Sequence, residues 1–221
     1  MDELKSPLII VAAFEPELRP LAAWLSENPV TGVSLGIVGV GVVEGALRTQ
    51  AILDQARVSR RVGERELRLL FIGSVGCIDR NVTLLSPVTA TASCFVDYPV
   101  SVGKAYIPDV VPRIHHADSM LVQSLSSIAN FQVLAEPVYT TPSIATTIEV
   151  AENYGRVTDA RFENLELFGV ASACARAGVP WGSFSFVTNY LGPLAHQEWA
   201  QNHERSAQLT AAAIGAWLKA R

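Results

Sequence analysis

Three short apolar runs separated by two stretches of helical periodicity fill the first third of the chain, and this order constrains the fold more than any other feature. The first run, Leu8-Ile9-Ile10-Val11-Ala12-Ala13, is continuous and β-branched, as expected of a strand buried on both faces. Pro16 and Glu17 suit a helix first turn, Leu18, Leu21, Ala22 and Leu25 recur at helical spacing, and Pro29 stops the element. Val33-Ser34-Leu35-Gly36-Ile37-Val38 reads as a second strand. A Gly39-Val40-Gly41 turn then leads into a helix over 43–58, striped by Ala46, Leu47, Ala51, Ile52 and Ala56. After an exposed charged loop, 69–72 is a third buried strand. A βαβαβ order specifies a parallel sheet covered by helices.

The later segments extend this plan. Residues 88–96 are β-rich, 118–128 helical, 133–139 β-like and 146–153 a short helix. An amphipathic helix over 165–177, a strand over 181–188 and a long helix over 197–218 complete the chain. No linker, charge run or repeat interrupts the 221 residues, so one α/β domain of mixed sheet over 1–221 is expected.

Composition excludes several classes of function. At 49% hydrophobic and 17% charged residues, the chain has ample material for a large core and is not disordered. No run approaches the ~18 apolar residues of a membrane span, so no membrane partner is expected. The net charge of -4 has the wrong sign for neutralising nucleic-acid phosphates, so no nucleic-acid partner is expected either. Met1-Asp2-Glu3-Leu4-Lys5 is too acidic for a signal-peptide start and Leu8-Ile9-Ile10-Val11 too short for its apolar region, so a cytoplasmic protein is expected. Cys77, Cys94 and Cys174 lack the pairing of a disulfide framework or zinc site and read as buried thiols.

Four groups of residues carry candidate chemistry. Gly39-Val40-Gly41-Val42-Val43-Glu44-Gly45 has the wrong spacing for a dinucleotide fingerprint, and its turn faces either a site or nothing. Gly73-Ser74-Val75-Gly76 falls at the carboxyl end of the third strand, where open α/β sheets bind ligands, and reads equally as a plain turn with a capping serine. His115, His116, His196 and His203 read as surface histidines. Glu15, Glu17, Glu163 and Glu166 lie at helix starts, where the macrodipole alone favours acidic residues.

Taken in order, several of these segments resemble the nucleoside phosphorylase/nucleosidase superfamily, above all the methylthioadenosine/S-adenosylhomocysteine nucleosidases and futalosine hydrolases. Val11-Ala12-Ala13-Phe14-Glu15-Pro16-Glu17 looks like the family's first strand and turn, Val38-Gly39-Val40-Gly41 like its second turn, and Ile72-Gly73-Ser74-Val75-Gly76 like its substrate-facing turn. Glu163-Asn164-Leu165-Glu166 resembles the ribose-binding segment, with Leu165 in place of methionine, and Phe186-Val187-Thr188-Asn189-Tyr190-Leu191-Gly192 the strand end that meets the purine. The resemblance spans almost the whole chain. It implies a three-layer α/β/α domain with a mixed central sheet, a homodimer or larger homo-oligomer, and cleavage of a purine–ribose bond without metal or organic cofactor.

Catalytic roles implied by the resemblance fall on Glu17, Glu166 and Asn189, and substrate contacts on Ser74, Val75, Gly76, Asn164 and Leu165. N-ribosidic cleavage passes through an oxocarbenium-like sugar. Glu166 would accept hydrogen bonds from the ribose hydroxyls and Glu17 would deprotonate the attacking water. Ser74, with the backbone of 73–76, would line the sugar pocket, and Leu165 would pack beneath the ribose. Phosphorylases of the superfamily bind phosphate with arginines near the first turns, whereas here Glu15 and Glu17 would repel it and Arg19 is the nearby cation, which favours water.

Asn189 stands where adenine-releasing nucleosidases carry an acidic proton donor. An amide cannot donate a proton as a general acid but can hydrogen-bond the N7 and O6 edge of a 6-oxopurine, and futalosine hydrolases, which release hypoxanthine, also show an asparagine in a similar segment. The expected substrate is therefore a 6-oxopurine nucleoside such as futalosine, with release of hypoxanthine. Adenine release, phosphorolysis and a catalytically degenerate nucleoside-binding protein are the alternatives. The last draws on two departures: Ser185 and Phe186 where an arginine is common, and Leu167-Phe168 in place of small residues. The segment 98–106 resembles the stretch that completes the 5′ pocket across a dimer, where Lys104 either meets a substrate carboxylate or is solvated, and Phe162, Tyr139 and Tyr190 read equally as base-stacking aromatics and as core.

Overall fold

The computed structural model describes residues 6–58 and 66–221; the acidic start over 1–5 and most of the charged loop before the third strand lie outside the described residues. The elements run β1 (Leu8–Ala12), α1 (Glu15–Glu27), β2 (Val33–Ile37), α2 (Val42–Val58), β3 (Arg68–Cys77), β4 (Pro87–Phe95), α3 (Tyr98–Ser101), β5 (Ile114–His116), α4 (Ser119–Ser126), β6 (Leu134–Thr140), α5 (Ile148–Thr158), β7 (Phe162–Asn164), α6 (Leu167–Ala177), β8 (Trp181–Tyr190) and α7 (Ala195–Ala220).

β1 joins β2 and β3 in parallel, as the opening pattern requires. β3 then pairs β8 in parallel and β7 antiparallel, β7 and β4 each pair β6 in parallel, and β4 meets β8 antiparallel. The pairings β3-β7-β6-β4-β8-β3 close a circuit, so the mixed sheet wraps on itself at one end. β1 and β3 are buried almost throughout, which explains their unbroken apolar runs.

Helices cover both faces, giving the three-layer arrangement. α2 packs on α6 over a core that includes Leu53, Leu69, Phe71 and Val170. On the other face α1 packs on α7 over Leu21, Leu70, Phe184 and Ile214, joined by Leu121 and Leu125 of α4. Local chemistry sets the helix starts: Asp118 accepts from the Leu121 amide at 2.8 Å and Thr147 from the Val150 amide at 3.3 Å. Cys77, Cys94 and Cys174 are free and buried, as the sequence indicates.

Three differences from the sequence reading concern the site. The glycine segment 73–76 is not a turn: β3 continues through it, paired with β8 across a bulge at Val75/Gly76. Neither glycine has positive φ. A Cβ on Gly73 would lie 3.3 Å from Glu17 Oε1, and one on Gly76 would lie 2.5 Å from Leu191 Cδ2 and 3.0 Å from Asn189 Nδ2, so these glycines admit neighbouring side chains rather than a bend. Second, Glu163 lies within β7, a strand too short to show a period, rather than at the start of a helix. Third, His115 lies in β5, with its ring 5.0 Å from that of Phe168 and its Nε2 3.1 Å from Ser172 Oγ.

Candidate active site

A cavity of about 350 Å³ opens beyond the carboxyl ends of β1, β3 and β8, where α/β sheets present their ligand sites. All eight residues singled out for chemistry or substrate contact line it: Glu17, Ser74, Val75, Gly76, Asn164, Leu165, Glu166 and Asn189. Among the described residues no lysine or arginine does. Arg19 instead pairs with Glu15 at 3.8 Å on the exposed side of α1, so Glu15 turns away from the cavity.

Glu17, 7% exposed, reaches the cavity from the first turn of α1. Its Oε1 accepts from Ser74 Oγ at 3.0 Å, while its Oε2 has no hydrogen-bond partner. Trp199 Nε1 in turn donates to Ser74 Oγ at 3.3 Å, which orients the serine hydroxyl toward the carboxylate. Burial, and then the charge of Glu166, push the Glu17 pKa up to about 8 against the opposing pull of Ser74. The result is a carboxyl poised to exchange a proton near neutrality, with one oxygen free to do it.

Glu166 precedes α6 and accepts at Oε1 from the Gly41 amide at 2.9 Å. Gly41 opens α2, so the positive end of that helix meets the carboxylate. Positive φ at Gly39 (+80°) and Gly41 (+91°) makes this approach possible, so the Gly39-Val40-Gly41 turn faces the site after all. Burial still raises the Glu166 pKa.

Asn164 serves the architecture of the cavity wall. Its Oδ1 accepts from the amides of Glu166 and Leu167 at 2.8 and 2.7 Å, starting α6, and its Nδ2 donates to the Ser74 carbonyl at 3.1 Å. Leu165 is half-buried between these polar neighbours. Val75 lines the cavity and belongs to the core beneath it.

Asn189 is held by its neighbour: Thr188 Oγ1 donates to Asn189 Oδ1 at 2.9 Å. Its Nδ2 donates to the Tyr190 carbonyl at 3.4 Å, so one N–H of the amino group is left for the cavity. Asn202 Nδ2 donates to the Thr188 carbonyl at 2.9 Å and Glu198 Oε2 accepts from the Tyr190 amide at 2.7 Å, which ties α7 to this strand end.

Several cavity residues escaped the sequence reading. Phe14 and Trp199 supply its aromatic wall, with ring centroids 6.2 Å apart. His196, exposed as the sequence indicates, also lines it, and Trp199 lies stacked between His196 and His203 at 5.8 and 4.6 Å. The i, i+3, i+7 spacing of His196, Trp199 and His203 was the available signal. Of the two readings of the other aromatics the structure takes the core one: Phe162 and Tyr139 are buried, and Tyr190 donates its hydroxyl to the Val82 carbonyl at 2.7 Å. No residue of 98–106 lines the cavity of a single chain. Glu163, read as an ordinary helix-start acid, is a third buried carboxyl at the cavity.

No family model and no curated protein sequence matches the chain. Solved structures do. A Helicobacter pylori 5′-methylthioadenosine/S-adenosylhomocysteine nucleosidase mutant with 5′-methylthioadenosine in its active site aligns over 98% of this chain and 99% of its own at TM-score 0.82 and 17% identity. The futalosine hydrolase of Helicobacter pylori strain 26695 aligns over 99% of both chains at TM-score 0.82 and 16% identity. The Neisseria meningitidis 5′-methylthioadenosine/S-adenosylhomocysteine nucleosidase in complex with methylthio-immucillin-A covers 97% of this chain and 99% of its own at 0.77 and 16%. The chain has the nucleoside phosphorylase/nucleosidase fold. At such identities the likeness speaks for architecture, and the chemistry of this nucleosidase-fold chain must be argued from its own side chains. Among the described residues no cluster of three or more His, Cys, Asp and Glu is arranged to hold a metal ion, and no helix is long and apolar enough to cross a membrane.

Proposed function

We propose that the chain is a nucleosidase that hydrolyses the N-ribosidic bond of a 6-oxopurine nucleoside such as futalosine, with water as nucleophile and hypoxanthine as product. The observation that carries this reading is the pair Glu17 and Glu166 in one cavity, close enough for the charge of one to raise the pKa of the other. A developing sugar cation between them relieves their repulsion, so both carboxylates stabilise the transition state more than the ground state. Glu166 accepts hydrogen bonds from the ribose hydroxyls. Glu17 holds water on its unpartnered Oε2.

As the bond from the anomeric carbon to N9 breaks, its electron pair passes to the base and the water oxygen joins the anomeric carbon. Glu17 accepts one water proton while the other stays on the new anomeric hydroxyl, and solvent, to which Glu17 returns its proton, protonates the departing anion to give neutral hypoxanthine. The Asn189 amino group, its carbonyl oxygen engaged by Thr188, donates to the N7 and O6 acceptors on which the leaving charge is delocalised. Water is favoured over phosphate because, among the described residues, three carboxyls and no lysine or arginine line the cavity. The working unit of this proposal is a homodimer or larger homo-oligomer in the cytoplasm, taking a small nucleoside and no cofactor.

The test is chromatographic detection of free base after incubation with futalosine, inosine, methylthioadenosine and S-adenosylhomocysteine, with and without phosphate. Hypoxanthine from futalosine without phosphate is the expected result. Phosphate-dependent release, or release from the adenine nucleosides alone, overturns it.

A further inference from the structure

We propose that Trp199 is a positioning residue for the general base: through Ser74 it commits one oxygen of Glu17 to the protein and leaves the other to take the water proton. The inference rests on the nucleosidase reading above and adds to it the side chain that orients its base.

The direction of the hydrogen bonds is the first support. Trp199 Nε1 lies 3.3 Å from Ser74 Oγ, which in turn lies 3.0 Å from Glu17 Oε1. An indole N–H donates and never accepts, so the serine hydroxyl cannot turn its own proton toward Trp199. With a lone pair of Oγ taken by the indole, that proton is directed to Glu17 Oε1. The order Trp199 to Ser74 to Glu17 therefore runs in one sense. Glu17 Oε2 is buried without a partner, so a proton held by Glu17 sits on the oxygen that faces the attacking water.

The second support is the way the indole is held. His196 and His203, about one turn before and after it on α7, stack on it at 5.8 and 4.6 Å. Phe14, three residues before Glu17, meets it at 6.2 Å. On the same helix, Glu198 Oε2 accepts from the Tyr190 amide at 2.7 Å and Asn202 Nδ2 donates to the Thr188 carbonyl at 2.9 Å. These contacts tie Trp199 to the carboxyl end of β8 and to the start of α1. A donor fixed from several sides holds its acceptor in place at little further cost in entropy.

Charge is the third. Among the described residues no lysine or arginine lines the cavity, so no cation there orients the carboxylate. Glu166 opposes the Glu17 charge, Glu163 and His196 share the cavity, and Glu15 and Arg19 of the same helix pair on its exposed side. Against burial and Glu166, the Ser74 hydroxyl is the strongest of the groups that favour the charged form. The direction in which that hydroxyl points sets the base, and Trp199 holds that direction.

The experiment is a double-mutant cycle of Trp199→Phe and Ser74→Ala, read as kcat and KM across pH for whichever of futalosine, inosine, methylthioadenosine and S-adenosylhomocysteine the parent cleaves. Phenylalanine keeps a ring in the wall and removes the N–H. Trp199→Phe is expected to lower kcat about 3- to 10-fold, the worth of one neutral hydrogen bond, with KM little changed. The rise of kcat/KM with pH should move to higher pH, because a base acts unprotonated and Glu17 has lost support for its charge. On the Ser74→Ala background the same substitution should change kcat less than about twofold, since a residue that acts through Ser74 has nothing left to act on. Equal losses in the two backgrounds, or a change confined to KM, make Trp199 a plain wall and overturn the proposal. A second readout needs neither turnover nor a substitution at 199. Of the four tryptophan indole N–H resonances in the parent, one is expected to titrate with Glu17 and to stop doing so in Glu17→Gln. Absence of any Glu17-dependent titration overturns the proposal even where Trp199→Phe folds poorly. The titration without base release from any of the four nucleosides overturns the nucleosidase reading, and with it the catalytic purpose given to Trp199.

Discussion

Each of the cavity carboxyls Glu17, Glu163 and Glu166 is held above its ordinary pKa chiefly by burial. A pKa higher in the folded than in the unfolded state means that the native chain keeps protons the unfolded chain has lost. Stability therefore falls as pH rises from the unfolded value of 4.5 to the folded value of about 8 at Glu17. His115, held below its ordinary 6.5 by burial and then by His116, works in the opposite sense as pH falls below 6.5. The ligand-free protein is expected to melt higher near about pH 6 than near about pH 8.5. Glu17→Gln removes one of these contributors, so it should raise Tm on the alkaline side and flatten the profile. It should also lower kcat for base release on the order of 10²- to 10⁴-fold, the usual worth of a general base. Scanning calorimetry and base release on the same variant check both arms. A variant that melts like its parent at both pH values contradicts the electrostatic account, and one with full turnover contradicts the catalytic role.

At the scale of elements, glycine does two different jobs. Gly39 and Gly41 adopt positive φ and form the turn that aims an amide at Glu166. Gly45 and Gly169 instead let α2 and α6 touch: a Cβ on Gly169 would lie 2.1 Å from the Val42 carbonyl oxygen and 2.9 Å from the Ala46 nitrogen, and one on Gly45 would lie 3.1 Å from the Glu166 carbonyl oxygen. This contact fixes the start of α2 against the start of α6, and hence Gly41 against Glu166. Gly169→Ala is expected to destabilise the fold by about 1–3 kcal/mol, the range for overpacking. Base release should fall further than the loss of folded protein explains, because the helix start moves. Urea unfolding paired with activity per folded molecule measures this, and a variant as stable and active as the parent would show that the two helix starts have slack.

At the scale of the whole molecule, apolar surface argues for assembly. Val43 and Leu47 lie four residues apart on α2, and they are exposed at 66% and 63%; Tyr106 and Val110 are exposed at 83% and 90%. Val40, exposed at the foot of α2, lines the cavity, so a second copy covering this face would approach the cavity mouth. Light scattering is expected to give a dimer or larger, and Val43→Glu with Leu47→Glu to shift it toward monomer; a parent that stays monomeric at every concentration refutes assembly. The sequence by itself determined the layered α/β plan, because long buried strands and amphipathic helices carry a period that neighbouring residues suffice to define. Short segments around Glu17, Ser74, Glu166 and Asn189 were also legible, since resemblance is read along the chain. Only the tertiary structure decided that 73–76 is strand, that Glu163 stands beside Gly76 opposite Asn189, and that Phe14, His196 and Trp199 wall the cavity. β7 has three residues and no period of its own, and its place comes from pairing with strands some 25 and 85 positions earlier in the chain. Burial and an unpaired carboxylate oxygen are properties of neighbours in space, and those neighbours exist only once the sheet has closed.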